Sequence, residues 1–243
     1  MKTEGKNAVL ELLKSGRQID KVLIGQGAEK GGGARLFELI RESGVKYQFV
    51  PRERLDKESS SGRHQGFIAY TPDYRYAELD ELIAFSKSEG KPPFIVILDG
   101  IEDPHNLGSI MRVCECGGVH GIVIRKDRSA QVNETAIKVS AGAAHHIRVA
   151  RVTNLAACIE ALKENGFWIF GSDSEGESMY GADFSGSVAL VIGGEGSGMR
   201  RLTRELCDKV VSIPMLGKVN SLNASVACGI LVYEINRKRL MKG

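Results

Sequence analysis

The sequence predicts an α/β protein, in which a small N-terminal α/β domain precedes a larger domain built on a parallel sheet with helices on both faces. Three observations lead to this fold class. Beyond residue 93, apolar runs of strand length alternate with helical patterns, which is typical of a parallel sheet covered on both faces. Between residues 72 and 92 the composition shifts to proline, glycine and charged residues, which indicates a linker. The chain has 243 residues, enough for two small domains.

Hydrophobic periodicity predicts the elements of the first domain, residues 1–71. They are helices over residues 7–14 and 34–43 and strands over residues 21–24, 47–50 and 66–70. The polar segment 51–65 is predicted to be a loop that is either mobile or a binding loop. This domain has 13 lysines and arginines against nine acidic residues, and the resulting charge of +4 favours contact with RNA.

The second domain is predicted to span residues 93–243 and to follow a linker, residues 72–92, that carries one short helix at 79–86. Its predicted strands cover residues 94–98, 119–124, 167–170, 188–192 and 210–213. Its predicted helices cover residues 107–116, 134–141, 155–165, 201–207 and 222–240. Ligand sites in open α/β sheets lie at the carboxyl ends of the strands, so the segments that follow the strands are the candidate sites.

Composition argues against several classes of protein. No apolar run approaches the roughly 18 residues that span a bilayer, and the polar start does not resemble a signal peptide, so we expect a cytoplasmic protein without a membrane segment. The five cysteines are an odd number in a chain too large to need disulfides, so we expect reduced thiols. Cys114 and Cys116 lack a second ligand pair at zinc spacing, so we expect no metal site.

The first candidate segment follows the strand at 94–98 and contains Asn106 and Arg112. These residues are six apart, nearly two helical turns, so one helix could present both toward the same edge of the sheet. Taken singly, Asn106 could equally be a helix cap and Arg112 a solvated surface charge.

The second segment, after the strand at 188–192, places Glu195 among Gly193, Gly194 and Gly196. Glycine allows the backbone to approach a ligand closely. The spacing does not match the dinucleotide fingerprint, and no Gly-Lys-Ser or Gly-Lys-Thr follows as in a phosphate-binding loop. A turn of purely structural glycines remains the alternative.

The third segment, residues 211–227, places Asn220, Ser221, Asn223 and Ser225 at the start of the last helix. Asparagine and serine there are usually caps. However, four such side chains supply more donors and acceptors than one helix end needs, which leaves some for a polar ligand.

In order and spacing, these three segments resemble the three motifs of the TrmH/SpoU family of SPOUT RNA 2′-O-ribose methyltransferases. The motifs are DPHNLGSIMR at 103–112, GGEGSGM at 193–199, and IPM at 213–215 with NSLNASVA at 220–227. Less specifically, residues 4–9 and 64–66 resemble the L30e-like substrate-binding domain of the RlmB-type guanosine methyltransferases of 23S ribosomal RNA. The resemblance implies a knotted SPOUT-type second domain, although protein chains generally avoid threading loops.

The resemblance also implies S-adenosylmethionine as cofactor and assigns roles to residues. The implied active-site residues are Asn106, Arg112, Glu195, Ser221 and Asn223, and the implied cofactor contacts are Gly193, Gly194, Gly196, Ile213, Met215 and Leu222. Arginine presents donors only, so we expect Arg112 to hold a phosphate or stabilise a developing alkoxide rather than to act as a base. The candidate RNA contacts are the loop residues Arg52, Arg54, Arg63 and His64.

Members of the family act as homodimers, and the last helix carries apolar Val226, Ile230, Tyr233 and Ile235 that could serve such an interface. Packing within one domain explains the same pattern equally well. The leading function is methylation of a guanosine ribose in 23S ribosomal RNA, and the alternative is the same chemistry on transfer RNA. A non-enzymatic RNA-binding protein is disfavoured because all five active-site residues are intact. A nucleotide-dependent oxidoreductase is disfavoured because its fingerprint is missing.

Overall fold

The strands and helices of the protein are taken from a computed structural model, which describes residues 2–16, 19–71, 74–196 and 198–242. In chain order the strands are β1 (Lys2–Glu4), β2 (Lys21–Gly25), β3 (Tyr47–Val50), β4 (Phe67–Tyr70), β5 (Phe94–Asp99), β6 (Gly121–Arg125), β7 (Arg148–Val152), β8 (Trp168–Ser178), β9 (Val188–Gly193) and β10 (Lys209–Ser212). The helices are α1 (Lys6–Lys14), α2 (Ala34–Glu42), α3 (Arg52–Glu58), α4 (Leu79–Ser88), α5 (Pro104–Cys116), α6 (Glu134–Val139), α7 (Leu155–Glu164), α8 (Arg201–Glu205) and α9 (Ala224–Lys242).

The chain forms two compact units whose boundaries cross the predicted domain boundaries. The first unit contains residues 1–75 together with residues 132–146, and the second contains residues 76–131 and 147–243. Residues 132–146 include α6, whose Ala136 and Ile137 are buried. The Glu134 carboxylate accepts hydrogen bonds from the Lys2 backbone and the Ser60 hydroxyl. A predicted part of the second domain therefore completes the first unit.

The first unit is a four-stranded sheet in the order β1-β4-β2-β3 with helices on both faces. β4 is antiparallel to both neighbours, whereas β2 and β3 are parallel. One face packs on α1 and α2 through the buried side chains of Val9, Leu12, Leu36 and Ile40. The other face is covered by α3, whose only buried residue is Leu55.

The second unit is a six-stranded, fully parallel sheet in the order β10-β8-β9-β5-β6-β7. The central strands β5 and β9 are apolar along nearly their whole length because helices cover both of their faces. Their register aligns Asp99 with Gly193 at the carboxyl end. The chain passes from β5 to β6 on one side of the sheet, whereas β9 lies on the other side. This change of direction creates a crevice at the carboxyl ends of the strands.

Besides β1, which was not predicted, three elements differ from the sequence prediction for identifiable reasons. β7 was not predicted because its arginines interrupt the apolar run, but Arg148 and Arg151 lie over the rings of Phe85 and Tyr76. Helix α3 forms within the predicted loop 51–65, with Leu55 as its single core contact. Helix α4 lies in the predicted linker, but two of its apolar residues are buried against the sheet of the second unit.

Among the helices that the structure describes, none is both long and apolar enough to cross a membrane. In the same residues, no group of three or more histidine, cysteine, aspartate or glutamate side chains is arranged to hold a metal ion. Burial raises the pKa of the Cys158 and Cys207 thiols to about 12. These two thiols are therefore poor nucleophiles at neutral pH.

Candidate active site

A cavity of about 660 Å³ opens at the carboxyl edge of the second unit's sheet. All six predicted cofactor contacts line it: Gly193, Gly194, Gly196, Ile213, Met215 and Leu222. Three of the five predicted active-site residues, Glu195, Ser221 and Asn223, line it as well. The second and third candidate segments therefore form one cavity.

Three polar side chains from the three candidate segments meet beside this cavity. The Asn106 amide donates to Glu195 Oε1 over 3.0 Å, and the Asn223 amide donates to the same oxygen over 2.6 Å. Asn223 Nδ2 also lies 2.9 Å from Asn106 Oδ1. Glu195 lies 89 positions after Asn106 in the sequence and Asn223 lies 117 positions after it, so only the fold brings them together. We call these three residues the polar triad.

Asn106 is not the cap that the simpler interpretation suggested. The N-cap of α5 is Asp103, whose carboxylate accepts from the His105 backbone N–H over 2.9 Å. Asn106 lies within the first turn, and only 8% of its surface is exposed. A buried amide needs hydrogen-bond partners, and Glu195 and Asn223 supply them.

Asn223 serves as a cap and as a member of the polar triad at once. Its side-chain oxygen accepts hydrogen bonds from the Ser225 backbone N–H and hydroxyl at the start of α9. Its amide nitrogen faces the other way, toward Glu195. The side-chain oxygen therefore fixes the direction of the amide donor.

The glycines of the second segment are needed for the loop's own backbone contacts. A Cβ at Gly193 would lie 2.4 Å from the carbonyl carbon of Gly198, and one at Gly194 would lie 2.3 Å from the Gly100 carbonyl oxygen. Gly196 has a φ of +78° and would meet no neighbour, so its requirement is conformational. The alternative of a structural turn therefore explains why glycine is required at these positions, although the same turn also forms a wall of the cavity.

Asp99 anchors this glycine loop. Its side chain is fully buried at the end of β5 and accepts from the Arg200 backbone N–H over 2.9 Å. Its carbonyl oxygen accepts from the Gly194 N–H, also over 2.9 Å. One residue thus holds both ends of the loop that carries Glu195.

Two predicted polar residues of the third segment remain available to a ligand. Asn220 and Ser221 line the cavity, and their side chains make no hydrogen bond to another described residue. Glu195 Oε2 likewise accepts no hydrogen bond from the part of the chain that the structure describes, because both amide donors bind Oε1.

A further wall of the cavity was missed by the sequence analysis. Residues 172–175 line it, where β8 departs from its register with β10 between Gly171 and Glu177. Asp173 and Glu175 form ion pairs with Arg204, at 2.6 and 3.5 Å, and all three face the cavity. The available signal was the position of this polar run directly after a predicted strand.

Arg112 is not brought to the polar triad of its own chain. Six residues along a helix correspond to a rotation of about 600°, which leaves the two side chains about 120° apart around the helix axis. The side chain is exposed, and it has no hydrogen bond or ion pair with any residue in the described ranges. The expectation that α5 presents both residues toward one edge is therefore wrong for a single chain.

The candidate RNA contacts of the first unit separate into two groups. Arg52, Arg54 and Arg63 are exposed. His64 is only 4% exposed; its Nδ1 accepts from the Gly66 N–H and its Nε2 donates to Asp56 Oδ1. Because both ring nitrogens are already used inside the protein, His64 is a structural residue, which corrects its prediction as an RNA contact.

Comparison with known proteins gives matches over both parts of the chain. The family model described as SpoU rRNA Methylase family matches residues 93–233. A second, described as RNA 2′-O ribose methyltransferase substrate binding, matches residues 3–77. The YacO protein of Bacillus subtilis strain 168, assigned to the TrmH family of tRNA/rRNA methyltransferases, is 49% identical over 97% of this chain and 94% of its own length.

Two solved structures are also similar. The SpoU methyltransferase AviRb from Streptomyces viridochromogenes, solved with the cofactor AdoMet, aligns with a TM-score of 0.82 and 25% identity over 99% of this chain and 90% of its own. The TrmH/SpoU tRNA modifying enzyme of A. aeolicus aligns with a TM-score of 0.58 and 30% identity over 68% of this chain and 84% of its own.

Proposed function

The chain belongs to the SpoU rRNA methylase family, which confirms the TrmH/SpoU resemblance, and from this premise we propose that it methylates a ribose 2′-hydroxyl of RNA. The protein is an RNA methyltransferase of the SpoU/TrmH type with S-adenosylmethionine as cofactor. The observation that carries the proposal is the polar triad, which holds an unshared carboxylate oxygen beside a cavity of cofactor size.

The cavity residues fit S-adenosylmethionine. Its volume of about 660 Å³ lies within the roughly 300–1,000 Å³ of small-molecule sites. Ile213, Met215 and Leu222 offer apolar surface for an adenine ring, and the glycine loop offers backbone donors and acceptors. Asp173 and Glu175 share the single cation Arg204, so this wall of the cavity keeps one net negative charge for a positively charged ligand. When bound, the cofactor supplies a methyl group activated by its sulfonium charge.

The chain's own part in the reaction is to orient the ribose and to accept a proton. A ribose hydroxyl is a weak nucleophile, so its alignment and the loss of its proton are the main tasks. We assign the free Oε2 of Glu195 as the acceptor of the hydroxyl's hydrogen bond. Asn106 and Asn223 fix the carboxylate through Oε1, while Ser221 and Asn220 position the ribose.

Arg112 requires a second copy of the chain in this proposal. Helix α9 packs on α5 through a buried side that includes Cys228, next to Cys114, and Val232, next to Gly117 at the end of α5. Apolar residues also occupy its other side, where Val226 and Tyr233 are about half exposed. We assign this second side to a homodimer interface. The exposed Arg112 guanidinium would then serve the triad of the partner chain, holding a phosphate or stabilising developing negative charge on the ribose oxygen.

We assign the target to a guanosine of 23S ribosomal RNA, with transfer RNA as the alternative. The first unit, with its RNA substrate-binding match and net positive charge, favours a large structured RNA. The tRNA modifying enzyme of A. aeolicus aligns with only 68% of this chain, which also favours a target other than transfer RNA. The second unit is assigned the knotted topology that the family resemblance implies.

The test is transfer of a labelled methyl group from S-adenosylmethionine to purified 23S ribosomal RNA and to bulk transfer RNA. We expect alkali-resistant label, diagnostic of a 2′-O-methyl group, in 23S ribosomal RNA. Glu195→Gln keeps the size of the side chain and removes its charge, and should abolish transfer. Label recovered in mononucleotides after alkaline hydrolysis would contradict the 2′-O assignment, and label only in transfer RNA would select the alternative target.

Mixed dimers test the assignment of Arg112. Arg112→Ala and Glu195→Gln should each be inactive alone, but an unfolded and refolded mixture should regain activity because one site then has both residues intact. No recovery in a mixture proven to contain heterodimers would contradict the action of Arg112 on the partner chain.

A further inference from the structure

Three aromatic rings form a cluster on the first unit that the proposed reaction does not use. Phe37 lies on α2, and Tyr47 and Phe49 lie on β3. The ring centroids are 5.5 Å apart for Phe37 and Tyr47, 5.5 Å for Phe37 and Phe49, and 5.8 Å for Tyr47 and Phe49. We call these three rings the aromatic platform.

The platform lies at the open edge of a sheet. β3 is the last strand in the order β1-β4-β2-β3 and pairs only with β2 among the strands that the structure describes. Tyr47 and Phe49 are 40% and 41% exposed. They alternate with Gln48 and Val50, so they share one side of the strand while Val50 packs on the other.

The half-buried Phe37 packs against the core of this unit, whereas Tyr47 and Phe49 are not part of it. On the same side of the sheet, Leu36 and Ile40 of α2 are at most 3% exposed and already join the core. Exposed apolar clusters of this kind mark interaction sites more often than scattered single residues do. An apolar edge strand is also a liability for aggregation, which a binding role would explain.

We propose that the aromatic platform stacks on unpaired bases of the substrate RNA. Aromatic rings are the usual partners of splayed bases in single-stranded RNA, because every base has a flat face to stack. The platform lies within residues 3–77, which match a substrate-binding model of RNA methyltransferases. The inference rests on the proposed function for the identity of the RNA, although not for the existence of the stacking surface.

Charge around the platform favours contact with bases over contact with phosphates. Arg41, one helical turn after Phe37, and Lys46, directly before Tyr47, are exposed. Glu38 and Glu42 are exposed on the same helix, so the surroundings are of mixed charge. The rings themselves must then provide most of what this surface contributes to RNA binding, and this contribution should depend little on salt.

Tryptophan fluorescence tests the stacking directly. The chain has one tryptophan, Trp168, which lies on β8 of the second unit, so Trp168→Phe gives a dark background. In that full-length background, the tryptophan fluorescence of Phe49→Trp should be quenched by a short single-stranded RNA. The same strand in a duplex should quench it much less. Gln48→Trp is the matched control, because it places the ring on the other side of β3, and it should not respond.

Affinity provides the second measurement. Tyr47→Leu with Phe49→Leu keeps apolar cover on α2 but removes the aromatic faces. It should weaken binding of single-stranded RNA by about tenfold or more, the scale of losing a stacked base, with an unchanged salt slope. Circular dichroism confirms that the variant is folded. If it does not fold, the single Phe49→Leu variant takes its place.

The outcomes separate this inference from the proposed function. Unchanged affinity of the leucine variant, or equal quenching at positions 48 and 49, would overturn the stacking role. If the leucine variant kept its RNA affinity but lost binding to a protein, the edge of β3 would be a protein-binding surface. That result would also overturn the stacking role. If the wild type transfers methyl groups but RNA does not quench the fluorescence of Phe49→Trp, the stacking role of the platform is contradicted and the proposed reaction is not. If RNA quenches the fluorescence of Phe49→Trp but the wild type transfers no methyl group, the proposed reaction is contradicted and the stacking role is not.

Discussion

Segment 51–65 of the first unit and the polar triad of the second unit are both rich in side chains that could bind a ligand, but the two regions use these side chains differently. In segment 51–65, His64 is bonded to Asp56 and Gly66, and Ser59 and Ser61 donate to Glu4. In the triad, side chains from three distant segments converge, and Glu195 Oε2 accepts no hydrogen bond from any residue that the structure describes. A polar residue therefore points to a ligand site when it keeps unused hydrogen-bonding capacity, not merely because it is polar.

A large effect, exceeded only by loss of the Glu195 carboxylate, should come from separating the two roles of Asn223. Asn223→Asp preserves an oxygen that can cap α9 but replaces the amide donor with a carboxylate facing Glu195. We expect methyl transfer to fall about a hundredfold or more, with little change in the unfolding midpoint. Asn223→Ala should lose both properties. Nearly normal turnover by Asn223→Asp would mean that the triad is only a structural device.

Arg112 should show the next largest effect. Arg112→Lys keeps the charge but loses the planar set of donors, so turnover should fall by roughly ten- to a hundredfold, the scale of a charged hydrogen bond. Cofactor affinity, measured by calorimetry, should be unchanged because Arg112 does not line the cavity. Normal turnover would contradict a role for an oriented guanidinium.

Substitution of the arginines of segment 51–65 should affect RNA binding, whereas substitution of its histidine should affect stability. Changing Arg52, Arg54 and Arg63 together to glutamine should weaken RNA binding and flatten its salt dependence by up to about 0.7–0.9 per lost phosphate contact. His64→Ala should leave the salt slope unchanged but cost about 1–3 kcal/mol of stability, since it leaves the Gly66 N–H without its acceptor. Filter binding over a salt series and urea unfolding measure the two effects. A flattened slope for His64→Ala would restore it as an RNA contact.

The smallest effect concerns acid stability. Burial by itself raises the pKa of Glu4, but hydrogen bonds from Ser59, Ser60 and Ser61 together outweigh it, so this pKa lies below its ordinary value of 4.5. A lowered folded-state pKa contributes stability above the unfolded value, and this contribution is lost as the pH falls through the folded value. Glu4→Gln should therefore destabilise the protein at pH 7 and differ less and less from wild type as the pH falls below 4.5. Equal differences at both pH values would contradict this cause.

Much of this architecture follows from patterns that are local in sequence. Strands β5 and β9 were predictable because apolar runs between glycine-rich turns have few other interpretations. β7 was not, since its arginines are accommodated by rings that lie 63 and 75 positions away along the chain. Helix α6 was predicted, but its packing with the first unit depends on contacts that no local pattern contains.

The candidate site was predictable in its members more than in its geometry. The motifs named Asn106, Glu195 and Asn223, but their shared oxygen and the double role of Asn223 emerge only from the fold. The spacing within the first motif predicted that Arg112 would lie beside these residues. In the structure it points to another side of α5 than Asn106 and is exposed. His64 was misassigned because a polar side chain in a basic segment gives no sign of burial until β4 and α3 enclose it.

Ribose methylation in cells tests the central claim that the polar triad performs RNA 2′-O-methylation. Methylation would be mapped across ribosomal and transfer RNA from a strain lacking the protein and from the same strain supplied with wild type or Asn223→Asp. We predict that one guanosine of 23S ribosomal RNA loses its 2′-O-methyl group, regains it with wild type, and stays unmodified with Asn223→Asp at equal protein level. An unchanged map in the deletion strain, or full restoration by Asn223→Asp, would contradict the account.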